Sequence, residues 1–317
     1  MRTAVFSGPG QIKIEYTPVP SPKEDEVRIK LEGCGVCSSN LPVYEGRQWF
    51  QYPIEAGSPG HEGWGIIDQT GTGVKGLYKG ERVAALSYHA YAEYDIVKAE
   101  NLVPLPESLA GKPFPGEPLG CAVNIFKRSD IKKGDTVAIV GIGFLGALLT
   151  QLISKLGARV IAISRRPYSL EVAKQSGADK TILMDDHYRI IEEVKELTKG
   201  EFCDRVIEST GKQWPIDLSG ELTKVRGKLI IAGYHQDGVR QVNMQLWNWR
   251  GLDVINAHER DDKIYMQGIR DAVDLVSNGI LDPFSLFTHQ FSLEQITEAF
   301  EATEKREDGF LKAWVKL

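Results

Sequence analysis

Three separated segments carry side chains able to bind a metal: Gly33-Cys34-Gly35-Val36-Cys37-Ser38-Ser39-Asn40, Pro59-Gly60-His61-Glu62-Gly63 and Gly116-Glu117-Pro118-Leu119-Gly120-Cys121. A catalytic zinc takes three protein ligands drawn from Cys, His and carboxylate and keeps a fourth position open for water or substrate. Cys37, His61 and Glu117 meet that requirement, and their wide spacing calls for a site assembled by tertiary folding. Blander readings exist for each. Cys34-x-x-Cys37 is half of a structural zinc pattern, but no second C-x-x-C accompanies it. As a redox pair it lacks the helix that follows in a thioredoxin-like unit. Cys34 falls within an apolar strand pattern and reads as core. A lone histidine in a loop usually means little, and Glu117 before a proline reads as turn chemistry.

A second chemical signal lies in the middle of the chain. Gly141-Ile142-Gly143-Phe144-Leu145-Gly146 has the G-x-G-x-x-G pattern, after the apolar run Thr136–Val140 and before a helical pattern that ends near Gly157. In that context the first glycine makes the tight turn and the second lets backbone approach a pyrophosphate. The third allows close helix–strand packing, and the helix N-terminus faces the anion. Gly141, Gly143, Phe144, Leu145 and Gly146 are therefore candidate dinucleotide contacts. The next strand, RVIAIS, ends in Ser164-Arg165-Arg166-Pro167 with no carboxylate to accept from a ribose 2′-hydroxyl. A hydroxyl and two guanidinium groups suit a 2′-phosphate instead, through charge-assisted and bidentate hydrogen bonds. The alternative is a solvated helix start, but positive charge at a helix N-terminus opposes the helix dipole. The expected cofactor is NADP(H).

These residues need two kinds of scaffold. Residues 1–127 are rich in glycine and short strand-like runs such as EVRIKLEG, GERVAAL and YAEYDIV, the pattern of a β-rich domain. In residues 128–260 the runs TVAIVGIG, RVIAIS, KTILM, DRVIES, KLIIAGY and LDVINAH alternate with helix-like segments Ala147–Leu156, Leu170–Ser176 and Tyr188–Thr198. Such alternation builds an α/β, doubly wound parallel sheet. Residues 261–317 open with a helical pattern, Asp262–Ser277, and end in the strand-like FLKAWVKL, which predicts a return to the first domain. The length of 317 residues suits two domains. Net charge −5 and a pI near 5.8 exclude a phosphate-backbone binder. No apolar run approaches the roughly 20 residues that span a bilayer. The N-terminal MRTAVFSGPGQIKIEY has no signal-peptide apolar stretch, so a cytoplasmic protein is expected. Four cysteines in a chain this long are not a disulfide scaffold.

Taken in order, these motifs resemble the zinc-dependent alcohol dehydrogenases of the medium-chain dehydrogenase/reductase superfamily. GCGVCSSN resembles their G-x-C-G-S/T-D segment, GHEGWG their G-H-E-x-x-G, and EPLGCAVN the E-P-L of the sorbitol and threonine dehydrogenase branch. GERVA and AYAEY, which lie between the last two of these, resemble its G-D-R-V and G-x-Y-A-E-Y segments, and VGIGFLG follows at the expected place. The resemblance implies a β-rich GroES-like catalytic domain joined to a Rossmann NADP(H)-binding domain. It implies a small alcohol, polyol or carbonyl substrate and no nucleic-acid or membrane partner. A homodimer or homotetramer is expected. It makes Cys37 and His61 zinc ligands, Glu117 the third, Cys121 the reserve, Glu62 an acidic neighbour able to approach the metal, and Ser39 the hydroxyl that exchanges the substrate proton.

The departures are specific. The family's aspartate after the relay hydroxyl is Asn40, and its histidine two residues on is Pro42, which cannot pass a proton. The chain runs from Arg82 to Tyr94 without the cysteines of a structural-zinc lobe, so one catalytic zinc per chain is expected. Ile255-Asn256-Ala257-His258-Glu259-Arg260 replaces a small-residue stretch and makes His258 and Arg260 candidate substrate or cofactor contacts. The aromatics Tyr44, Trp49, Phe50 and Tyr52 are candidates to line a pocket. Two competing functions are a metal-free quinone or enoyl reductase of the same superfamily and a non-catalytic NADPH-binding protein.

Overall fold

The computed structural model describes residues Met1–Leu317. They form two units, one of residues Met1–Gly120, Met266–Asn278 and Pro283–Leu317, the other of Cys121–Tyr265 and Gly279–Asp282. No helix is long and apolar enough to cross a membrane.

The first unit is built on a seven-stranded sheet and a hairpin, Arg2–Gly8 with Gln11–Tyr16. The central strand, Glu26–Gly35, alternates buried residues with half-buried or exposed ones up to Glu32 and is buried from Gly33 to Gly35, as expected of a strand that passes from a sheet face into the core. It pairs antiparallel with Gly63–Thr70, with Tyr94–Lys98 and with the C-terminal Ala313–Lys316. The pairing with Gly63–Thr70 shifts register between Leu31 and Gly33, and a Cβ at Gly33 would sit 2.4 Å from the Trp64 ring. Glycine there lets the indole lie flat on the neighbouring strand. Because Trp314, Val315 and Lys316 pair with Gly35, Cys34 and Gly33, the strand Ala313–Lys316 borders the segment that leads into Cys37.

The second unit holds six parallel strands in the order Lys180–Leu183, Arg159–Ser164, Thr136–Val140, Cys203–Glu208, Thr223–Ile231, Asp253–Asn256. Each coincides with one of the apolar runs read from the sequence. Strand order reverses between Thr136–Val140 and Cys203–Glu208, and ligands of open α/β sheets bind outside the carboxyl ends of strands at such a switch point. Helices Phe144–Leu156, Pro167–Gln175 and His187–Leu197 supply the crossovers. Gln213–Leu222 and Met244–Arg250 are helices that the sequence reading passed over. The first contains Pro215 and Gly220; proline is tolerated in a first helical turn, where its missing N–H costs no bond.

Candidate functional site

Cys37 ends the buried stretch Cys34–Val36 and precedes a turn of 3-10 helix, Ser38–Asn40. His61 and Glu62 stand immediately before the strand Gly63–Thr70. Since Gly63 pairs with Cys34, the two segments are held side by side by the ladder itself. The result is a compact donor group: ligand atoms of Cys37, His61 and Glu62 all lie within 4.8 Å of one another.

His61 Nδ1 lies 3.0 Å from the Pro59 carbonyl, which leaves Nε2 for the thiol and a metal. Asn40 reinforces the same point, because its Nδ2 donates to Pro59 O at 3.1 Å and to the Tyr91 hydroxyl at 3.2 Å. The family's aspartate position is thus taken by an amide committed to holding the loop. Burial works against a charged imidazole, but the hydrogen bond to Cys37 and the negative charges of Cys37, Glu117 and Glu62 outweigh it. The His61 pKa is pushed up to about 10. A proton is the smallest cation, and this cluster stabilises one strongly; a thiolate, an imidazole and a carboxylate are also a donor set that suits zinc.

Glu62 is fully buried. Lys312 Nζ lies 2.6 Å from both of its carboxylate oxygens; the hydrogen bond goes to Oε1, and the buried Oε2 has none. A Cβ at Gly35 would sit 1.8 Å from Oε2, so only glycine leaves room for the carboxylate. Lys312 is itself buried, and although burial opposes its charge, Glu62, Cys37 and Glu117 raise its pKa above the ordinary lysine value. The sequence reading missed this residue. Its one signal was a lysine within the apolar run Phe310–Val315.

Glu117, the expected third ligand, lies outside the tight group, and Glu62 occupies that place in it. The reason is covalent: Glu62 follows His61 directly, whereas Glu117 approaches from another element. Glu117 is buried in the first turn of the helix Gly116–Arg128, not in an isolated turn, and it is near enough to act on His61 and Lys312 electrostatically. The reserve candidate Cys121 belongs to the second unit and lies 3.1 Å from the Tyr265 hydroxyl. Cys34 is a fully buried core thiol, as read. Ser39 Oγ donates to Cys37 Sγ at 3.2 Å and lies 3.5 Å from Asn40 Oδ1. Of the aromatic candidates, Tyr44 is core, packed 5.3 Å from the Phe300 ring, while Phe50 and Tyr52 pack against that core and Trp49 is exposed.

In the second unit the glycine turn has the geometry its residues predict. Gly141 has φ 106°, in the left-handed region. Gly143 caps the helix Phe144–Leu156, and an added Cβ there would meet nothing within 4 Å. At Gly146 a Cβ would lie 2.2 Å from the Gly141 carbonyl. The middle glycine therefore faces open space, and the third is the close-packing one. The Ser209 hydroxyl donates to the Gly141 carbonyl and fixes the turn from the neighbouring strand. Phe144 is buried and Leu145 half-buried. Ser164, at the end of its strand, is buried; Arg165 is exposed, and the half-buried Arg166 is the N-cap of the helix Pro167–Gln175. His258 and Arg260 are both exposed, with the His258 ring 6.4 Å from that of Tyr234.

Comparison with known proteins agrees with this architecture. Residues 23–107 match the alcohol dehydrogenase GroES-like domain, and residues 145–276 match the zinc-binding dehydrogenase family. The chain is 29% identical over 351 residues to a sorbitol dehydrogenase of Bacillus subtilis, covering 99% of this chain and 97% of that one. A zinc-binding dehydrogenase of Sinorhizobium meliloti bound to NADP superposes with TM-score 0.87 at 24% identity, over 100% of this chain and 99% of that one. An alcohol dehydrogenase (rspB) of Escherichia coli CFT073 in complex with NADH gives TM-score 0.87 and 24% identity over the same shares. The chain belongs to the medium-chain dehydrogenase/reductase superfamily, in its zinc-type alcohol dehydrogenase-like branch. It is an alcohol dehydrogenase-type oxidoreductase acting on CH–OH groups.

Proposed function

We propose that the protein is a zinc-dependent, NADP(H)-linked dehydrogenase of a small alcohol or polyol, or reductase of the matching aldehyde or ketone. The observation that carries the reading is the donor group of Cys37, His61 and Glu62 within 4.8 Å, made by residues of the family's ligand segments. Cys37 and His61 would hold zinc with Glu117 as third ligand, and Glu62 would be the acidic neighbour that approaches it. When bound, zinc supplies Lewis acidity at the substrate oxygen, and the nicotinamide exchanges hydride with the substrate carbon.

The chain's own part is positioning and proton transfer. Pro59 O and Asn40 orient the imidazole. Ser39 Oγ, beside the Cys37 sulfur, would take or return the hydroxyl proton of the substrate. Asn40 is an amide and Pro42 has no exchangeable side-chain proton, so the path from Ser39 ends in water or a ribose hydroxyl. Ser164, Arg165 and Arg166 would hold the 2′-phosphate. Similar folds carry NADP and NADH alike, so the cofactor reading rests on those three residues. The polyol class is suggested by the likeness to sorbitol dehydrogenase.

The test is metal content with turnover. Elemental analysis should find about one zinc per chain, the number a single three-ligand catalytic site holds, and Cys37→Ala should lose metal and turnover together. A protein that turns over carbonyl substrates with NADPH while free of metal is instead a metal-free reductase of the same superfamily. If Cys121→Ala removes the metal and Glu117→Ala does not, the third ligand is Cys121.

A further inference from the structure

The carboxyl ends of the strands in the second unit stand in one row. Ile163, Val140, Glu208, Ile231 and Asn256 are in register across neighbouring strands, so Ser164, Gly141, Ser209, Ala232 and Ala257 follow at one level. With the adenosine end of a dinucleotide at Ser164-Arg165-Arg166 and its pyrophosphate at the glycine turn, the nicotinamide half extends past the switch point, over Ser209 and Ala232. The loop of residues 232–243 is folded inside out. Tyr234 and Val239 are 59% and 95% exposed, while the His235 and Arg240 side chains keep only 16% and 14% of their surface.

The inward side chains form a relay. Glu208 is fully buried, and its Oε1 accepts from the Thr210 N–H at 2.7 Å and the Gly211 N–H at 2.9 Å. Its Oε2 lies 3.0 Å from His235 Nε2, and Arg240 Nε lies 2.9 Å from His235 Nδ1. A guanidinium can only donate, so Nδ1 accepts and Nε2 carries the proton given to Glu208. Arg240 also donates to the Gly211 carbonyl at 2.6 Å and pairs with Asp237, which holds Lys212 at 2.7 Å. One buried carboxylate thereby shapes two adjoining loops. They are pressed together at two glycines: a Cβ on Gly211 would lie 2.3 Å from the Tyr234 carbonyl oxygen, and one on Gly233 2.2 Å from the Gly211 nitrogen. The first loop also braces the glycine turn, through the hydrogen bond from Ser209 to the Gly141 carbonyl. We propose that His235 is a positioning residue: held between Glu208 and Arg240, it fixes the backbone of residues 232–234 against which the nicotinamide half of the cofactor lies. Its effect is confined to that half, because Ser164 and the two arginines lie on the far side of the strand that carries the glycine turn. This inference rests on the dinucleotide reading above.

The experiment uses full-length protein and measures dissociation constants for NADPH and for 2′,5′-ADP, a fragment that lacks the nicotinamide half. His235→Ala should weaken NADPH binding about 10-fold or more, the scale of a lost charged hydrogen bond, and leave 2′,5′-ADP binding at the parent's value. His235→Asn keeps an acceptor near Nδ1 for Arg240, and His235→Gln keeps a donor near Nε2 for Glu208. Each should recover only part of the NADPH affinity. Parent-level NADPH binding in either would mean that one arm suffices and would overturn the relay. Should His235→Ala fail to fold, these two variants still decide the matter. Equal weakening of NADPH and 2′,5′-ADP, or unchanged binding of both with only thermal stability lowered, would overturn the proposal and leave the cofactor reading intact. If the parent binds NADH as tightly as NADPH, the comparison is made with NADH and ADP, and the same split supports the proposal. A parent that binds neither dinucleotide overturns both.

Discussion

Ser39 and His61 both lie beside Cys37 and answer to different measurements. Ser39 has the one hydroxyl that donates to the Cys37 sulfur. Ser39→Ala should lower kcat by roughly 10²–10⁴, the range for a lost general acid–base group, with zinc content unchanged. Near-parent turnover would instead direct attention to Ser38 or His258. His61 tests the electrostatics. Its pKa in the metal-free fold, about 10, lies above the 6.5 of an unperturbed histidine. A raised pKa contributes stability that is complete below pH 6.5 and is lost as pH climbs through 10. Metal-free protein should therefore lose thermal stability across that window, and His61→Gln should flatten the profile. For the same reason zinc uptake at pH 8 should release about one proton from His61, because a ligand must bind in its unprotonated form; titrations in buffers of different ionisation heat count it. A flat profile with no proton release would show that the anions around His61 do not govern it.

At the level of elements, the strand–turn–helix from Thr136 to Leu156 makes a discriminating prediction, since its glycines differ in what surrounds them. An alanine at 146 meets the Gly141 carbonyl at 2.2 Å, a backbone atom that cannot rotate away. Gly146→Ala should therefore destabilise the protein by about 1–3 kcal/mol, the usual scale of overpacking. Gly143 has open space around it and a φ of −100°, so alanine fits the fold. Its methyl group would stand where the pyrophosphate approaches. Gly143→Ala should leave the melting temperature near the parent's and raise KM for the cofactor; the opposite pattern in the two variants would reverse the assigned roles. Both glycines were legible because the motif sits between an apolar run and a helical period. The helix that holds Glu117 was not, because Pro118 reads as a turn unless it lies in the first helical turn, as it does. Gln213–Leu222 was obscured by Pro215 and Gly220 in the same way.

For the molecule as a whole, the metal donors lie in one unit and the glycine turn and Ser164-Arg165-Arg166 in the other, each unit with its own sheet and core. Mutations in independent sites are additive. Cys37→Ala should abolish zinc binding while NADPH binding, followed by fluorescence, stays near the parent's. Arg165→Ala and Arg166→Ala should each cost about 1.5–3 kcal/mol of NADP(H) binding, the worth of a charged hydrogen bond, with zinc content intact and the weak NAD(H) binding barely changed. Ser164→Asp should move kcat/KM toward NAD(H), by repelling a phosphate and offering an acceptor to a ribose hydroxyl. Equal use of NAD(H) by the parent would make the arginines surface charge only. The chain by itself determined the six parallel strands, because each carries a short apolar run; the two central ones, Thr136–Val140 and Arg159–Ser164, are buried almost throughout. It also determined the shape of the glycine turn Gly141–Gly146, which depends on a backbone that local glycines control. Cys37 and His61 were legible because each lies in a short segment of distinctive residue types. Tertiary structure alone decided that Glu62, adjacent to His61, joins the tight donor group while Glu117 stands outside it, and that Lys312 pairs with Glu62 across 250 residues. The physical reason is that a buried charge finds its partner through the packing of strands distant in sequence, and residue spacing carries no record of that packing.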